Sequence, residues 1–116
     1  MAGQNKKDSV LAECVGKGQA LVSLVEYAKD SIVSKTILNK SIGSITLFAF
    51  DAGQSLSEHT SPYDAVVQVL DGGARLTIGG RDEIVTAGQI IIMPANVAHA
   101  VNAEEKFKML LIMIRA

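Results

Sequence analysis

The sequence predicts an all-β domain, a sandwich or a closed barrel, running from about residue 31 to the end of the chain. Three observations predict it. Short runs rich in β-branched and aromatic residues recur at close intervals, turn signals of Gly, Asn, Asp or Pro bound them, and no long helical period lies between them. Strands of this kind must remove their edges by closing into a barrel or by pairing two sheets.

The elements follow in order. Residues 1–30 read as an N-terminal appendage, because 116 residues suffice for one core and not for two ordinary domains. Its first 18 residues are polar and include Gly16 and Gly18, a "GKG" read as a turn because the other elements of a phosphate loop are missing. "QALVSLVEYAK" at 19–29 then spaces Leu21, Leu24, Val25 and Ala28 for a short helix or turn. From residue 31 the strands begin with "SIVSKTIL" and "SITLFAF". They continue with "AVVQVL" before Gly72 and Gly73, "ARLTI" before Gly79 and Gly80, "EIVT" before Gly88, and "QIIIM" before Pro94. Gly79 and Gly80 both tolerate positive φ, which a two-residue hairpin turn of the primed type requires. The closing "KFKMLLIMIRA" is too apolar for an exposed edge and is expected either to be buried on both faces or to pair with another subunit.

Composition narrows the function. Eleven Lys and Arg against 12 Asp and Glu leave a net charge of -1 and no surplus for phosphates, so nucleic acid is not an expected partner. The longest apolar candidate, "MLLIMI" at 109–114, is far short of the roughly 20 residues that cross a bilayer, so no membrane partner is expected. A lone Cys14 forms no internal disulfide and is given no role, and the N-terminus has no apolar signal core, so the expected location is cytoplasmic. Aromatic residues make up 4% with no Trp, which predicts an aliphatic, small-polar pocket.

The chain has only two histidines, His59 in "HTSPYDAVVQVLDGG" and His99 in "MPANVAHA". Their frames resemble the two motifs of the small single-domain cupins. The family's first motif runs Gly, five residues, His, one residue, His, three or four residues, Glu, six residues, Gly. Here it reads Gly53, "QSLSE", His59, Thr60, Ser61, "PYD", Ala65, "VVQVLD", Gly72. The second motif reads Gly88, "QIIIM", Pro94, Ala95, Asn96, Val97, Ala98, His99, "AVN", Ala103, with Asn96 where the family has a turn glycine and Ala103 where it has Asn. Asn is the side chain that best tolerates the left-handed conformation after Gly, so the frame is kept.

The resemblance implies a jelly-roll β-barrel, the double-stranded β-helix, over residues 31–116. It also implies a small-molecule ligand inside the barrel and a homodimer, to which the apolar terminus also points. Family members hold a divalent transition metal (iron, manganese, nickel or zinc) with three histidines and a glutamate. On that resemblance His59 and His99 take two of the four places, and Ser61 and Ala65 stand in the others. Ser61, Ala65, Val67 and Val101 are assigned to the pocket wall. Strand alternation turns Glu58 and Asp64 away from the interior unless the strand bulges. Met93, Met109 and Met113 are read as adaptable packing rather than as soft-metal ligands, and Tyr63 and Asp64 as corner residues beside Pro62. Three functions stay open: binding of a small molecule with an ion at the two histidines, a metal-dependent oxygenase or isomerase completed by a nonstandard third ligand, and a noncatalytic sensor or interaction module. Two imidazoles that only line the barrel, satisfied by each other or by Ser61, are the alternative to a metal site.

Overall fold

The computed structural model describes residues 8–115. Ten strands among them form two antiparallel sheets. They are β1 (Ser9–Val10), β2 (Ile32–Lys40), β3 (Gly43–Phe50), β4 (Ser55–His59), β5 (Asp64–Asp71), β6 (Gly73–Ile78), β7 (Arg81–Thr86), β8 (Ile90–Met93), β9 (His99–Asn102) and β10 (Phe107–Ile114). One sheet has the order β1-β2-β3-β10-β5-β8 and the other β4-β9-β6-β7, so the chain passes repeatedly from sheet to sheet, as the expected jelly roll requires.

Alternation along the strands builds the core. On β5, Ala65, Val67 and Val69 are buried while Val66, Gln68 and Leu70 are only partly so. Ala74 and Leu76 of β6, Val101 of β9 and Phe107 and Met109 of β10 meet them between the sheets. At one end Phe50 and Phe107 stack with ring centroids 4.6 Å apart. Beside them Gly72 has φ +71, and a Cβ there would lie 2.3 Å from the Lys106 carbonyl oxygen, so only glycine fits. The predicted hairpin is present: Gly79 (φ 58) and Gly80 (φ 82) join β6 to β7 with Ile78 opposite Arg81.

The apolar terminal run is buried on both faces over its first half, while Ile112 is only partly buried and Ile114 is exposed. β10 lies between β3 and β5, with Phe107 and Met109 in the barrel core and Leu110 in a second cluster with Leu47, Ala49 and Val25. Leu21, Leu24 and Tyr27 pack on that second cluster. The short helix or turn expected within 19–29 is a single turn of 3-10 helix at Leu21–Ser23. Lys108 Nζ donates to the Val22 carbonyl at 2.6 Å, and the Tyr27 hydroxyl donates to Asp71 Oδ2 at 2.6 Å. The ammonium groups of Lys106 and Lys108 each lie 4.9 Å from the Tyr27 ring centroid. Burial, then the Asp71 carboxylate, push the Tyr27 hydroxyl well above the usual phenol range.

No helix among the described residues is long and apolar enough to cross a membrane.

Candidate metal centre and ligand pocket

The barrel end opposite the Phe50–Phe107 stack is not filled. It contains a cavity of about 120 Å³ with ten lining residues, among them His59, Ser61, Ala65, His99 and Val101. Val67, assigned to the wall from sequence, is not on it. It shares the inward face with Ala65 but lies one pleat deeper, fully buried in the core. Sequence reasoning in turn passed over Leu56, Leu111 and the three methionines 93, 109 and 113 as cavity residues. The signal that finds them is cross-strand register, which a single sequence does not display.

His59 and His99 are direct partners across β4 and β9. Their register carries a bulge: Leu56 pairs with Val101 and His59 with His99, so three steps on β4 match two on β9. The bulge lets Leu56 and His59 both face the cavity, although strict alternation would set them on opposite sides. Glu58, within the bulge, is exposed and does not line the cavity. Asp64 is occupied elsewhere, its Oδ1 accepting the Ala95 N–H at 2.8 Å. That contact ties the start of β5 to the β8–β9 loop. The same loop is shaped by Asn96, whose φ of 65 is the left-handed conformation expected of it, and whose N–H donates to the Ser61 carbonyl at 2.7 Å. Ser61 Oγ accepts the Tyr63 N–H at 3.1 Å, which closes the corner around Pro62.

The imidazoles converge. Their ring centroids are 4.4 Å apart in an edge-on arrangement, and the two Nε2 atoms are 3.1 Å apart. Each Nδ1 lies on a backbone carbonyl two residues earlier, His59 on Ser57 at 2.8 Å and His99 on Val97 at 3.1 Å. A carbonyl oxygen only accepts, so both Nδ1 atoms carry the hydrogen. In neutral rings of this tautomer both Nε2 atoms are acceptors, 3.1 Å apart in an edge-on arrangement. Two acceptors make no hydrogen bond, and the contact becomes favourable when a proton or a metal ion stands between them. His99 is 4% exposed whereas His59 is exposed at the mouth, so one ring is fixed in the wall and the other meets solvent.

This geometry fits the imidazole part of a metal site. At this spacing both nitrogens could reach one ion at ordinary metal–nitrogen bond lengths. The backbone carbonyls behind Nδ1 are the outer partners that ligating histidines ordinarily have. The rest of a four-residue divalent site does not fit. Among the described residues no group of three or more His, Cys, Asp and Glu comes together, and the buried methyl of Ala65 stands where a carboxylate would be needed.

A two-sheet jelly roll with two imidazoles converging inside one end defines a small antiparallel β-barrel with a candidate site at that end. The comparisons fix the family: the model of the Cupin domain matches residues 46–115, and the chain belongs to that family. A conserved protein of unknown function from Streptococcus pyogenes, SPY1581, is 38% identical, with a TM-score of 0.83 over 86% of this chain and 88% of that one. A cupin 2 conserved barrel domain protein from Leptotrichia buccalis is 44% identical with a TM-score of 0.78, covering 80% of this chain and 45% of that one. The uncharacterized protein SCO3923 of Streptomyces coelicolor is 38% identical over 56 residues, 48% of this chain and 53% of that protein, so the chain spans about half the length of the curated relative it matches.

Proposed function

We propose that this cupin binds a small molecule in the open end of its barrel beside a metal ion held by His59 and His99. The observation that carries the reading is the pair of Nε2 atoms 3.1 Å apart, with each Nδ1 on a backbone carbonyl, an arrangement that a metal ion between the two nitrogens would favour. The ion would supply Lewis-acid polarisation to an oxygen-bearing ligand. The chain's own residues supply the remainder: Leu56, Val101 and Leu111 give an apolar wall that excludes water, Ser61 offers a hydroxyl, and His59 marks the entrance. At about 120 Å³ the cavity is well below the roughly 300–1,000 Å³ of pockets for drug-sized ligands, so the ligand has few heavy atoms. Binding is preferred to the oxygenase or isomerase reading because that chemistry calls for a third protein donor, and no His, Cys, Asp or Glu among the described residues joins the pair.

The test is the transition-metal content of untagged protein purified without added metal, beside His59→Ala and His99→Ala, with mass spectrometry of any small molecule released on denaturation. Metal retained by the wild type and lost from both variants supports the reading. Equal metal content and equal ligand-induced melting shifts in all three proteins contradict it.

The reading includes a homodimer. Its support is an apolar cleft outside the barrel, lined by Leu38, Ile45 and Ile112 beside the strongly exposed Ile42 and Ile114. A light-scattering mass of one subunit at micromolar concentration would overturn that part.

A further inference from the structure

The chain has four methionines, and apart from Met1 all of them, Met93, Met109 and Met113, line the same cavity as its only two histidines. No other methionine packs anywhere in the described chain. Strand register explains how they meet. Met93 on β8 and Met113 on β10 are each the direct cross-strand partner of Ala65 on β5. Direct partners share a face of the sheet, so the three form one row. The central member of the row is only a methyl group, and the methionines on both sides of it line the cavity. His59 and His99 line the same cavity from the other sheet, with their Nε2 atoms 3.1 Å apart.

The donors on offer are therefore two neutral imidazole nitrogens and thioether sulfurs, with no anionic oxygen among the described residues of the site. Thioethers are soft ligands that favour monovalent copper over hard divalent ions. Charge points the same way: a divalent ion would bring two charges into an aliphatic cavity with no carboxylate to balance them, a monovalent ion one.

We infer that the cavity is a site for cuprous copper, Cu(I), held by His59 and His99 together with the sulfurs of Met93 and Met113. The inference rests on the histidine pair as a metal seat and adds the class of ion and the sulfur ligands. Met109, almost wholly buried between the core and the cavity floor, supplies adaptable packing beneath them.

The full untagged chain is titrated anaerobically with Cu(I) against a chromogenic Cu(I) chelator, and separately with Zn(II). The proteins compared are wild type, Met93→Leu, Met113→Leu, the double variant and His59→Ala. Leucine keeps the volume and the apolar surface while removing the sulfur. The expected result is one Cu(I) per chain, weakened about tenfold by each methionine substitution and about a hundredfold by both, with Zn(II) affinity held within about twofold. Retained Zn(II) binding also shows that these variants fold. His59→Ala loses both ions. The inference is overturned if the double methionine variant binds Cu(I) as tightly as wild type. In that case a His59→Ala protein that still loses Zn(II) leaves the histidine seat standing, whereas one that binds both ions like wild type removes both readings.

Discussion

The two ends of this barrel are made by the same strands with the same alternation, yet they differ in kind. At one end Phe50 stacks on Phe107, Gly72 admits the Lys106 backbone where no Cβ fits, and Tyr27, Lys106 and Lys108 clasp the N-terminal segment over the outside. At the other end Ala65 and Ser61 are small, methionines replace rings, and two imidazoles meet edge-on with their Nε2 atoms 3.1 Å apart beside a cavity. The lesson is a division of labour within one core: one end is packed for stability, and the other leaves out volume and partners so that something else can supply them.

The largest expected effect would break the closed end. Phe107→Ala removes a fully buried ring and its stacking partner, with an expected loss of about 4 kcal/mol in urea unfolding, and Gly72→Ala should cost about 3 kcal/mol through its positive φ and the Lys106 carbonyl. At the open end Met113→Ala, only partly buried beside an existing cavity, should cost below about 2 kcal/mol by the same measurement. Similar losses at both ends would erase the contrast.

Sharper tests follow at the open end. Ala65→Glu places a carboxylate in the row between Met93 and Met113, and should raise affinity for Ni(II) or Mn(II) at least about tenfold by calorimetric titration while lowering affinity for Cu(I). His99→Leu, without metal, should leave stability unchanged or raise it by about 0.5–1 kcal/mol, because it removes one of two opposed acceptors, and should abolish metal-induced stabilisation.

The smallest effects are electrostatic and belong to the closed end. The Tyr27 hydroxyl is raised above its ordinary value of 10.0, so its contribution is complete below that pH and is lost as pH rises beyond it, when the unfolded chain ionises and the folded one does not. Tyr27→Phe should cost about 1 kcal/mol near neutrality and remove this alkaline component of the melting profile. Asp51 has the opposite sign. The Asp30 N–H at 2.7 Å holds its carboxylate below the usual value of 3.8, so stability present at neutral pH falls as the solution is acidified below that value. Asp51→Asn should flatten the acid limb of the same profile.

Much of this was legible in the chain. Gly79–Gly80 specified a two-residue hairpin, Asn96 kept a left-handed turn, and the frames around His59 and His99 placed both imidazoles at one barrel end. What stayed hidden depends on register and on backbone position. The β4 bulge that turns Leu56 and His59 to one side has no mark in "SLSEH". The row Met93–Ala65–Met113 joins three strands far apart in sequence, and read singly each methionine looks like packing. The fit of Val25 and its neighbours on Leu47, Ala49 and Leu110 covers the first half of β10 from outside, a contact between segments far apart in the chain. The carbonyls of Ser57 and Val97 that fix both tautomers are invisible in any sequence, because every residue has one.

The central claim is the protonation of four nitrogens, and long-range 1H–15N correlation of the imidazoles at mildly alkaline pH reads it directly. The account predicts that His59 and His99 both carry hydrogen on Nδ1, and that both Nε2 resonances move together as one equivalent of Zn(II) is added. A hydrogen on Nε2 of either neutral ring, with no joint response to the metal, would make the 3.1 Å contact an ordinary hydrogen bond between lining side chains and would contradict the account.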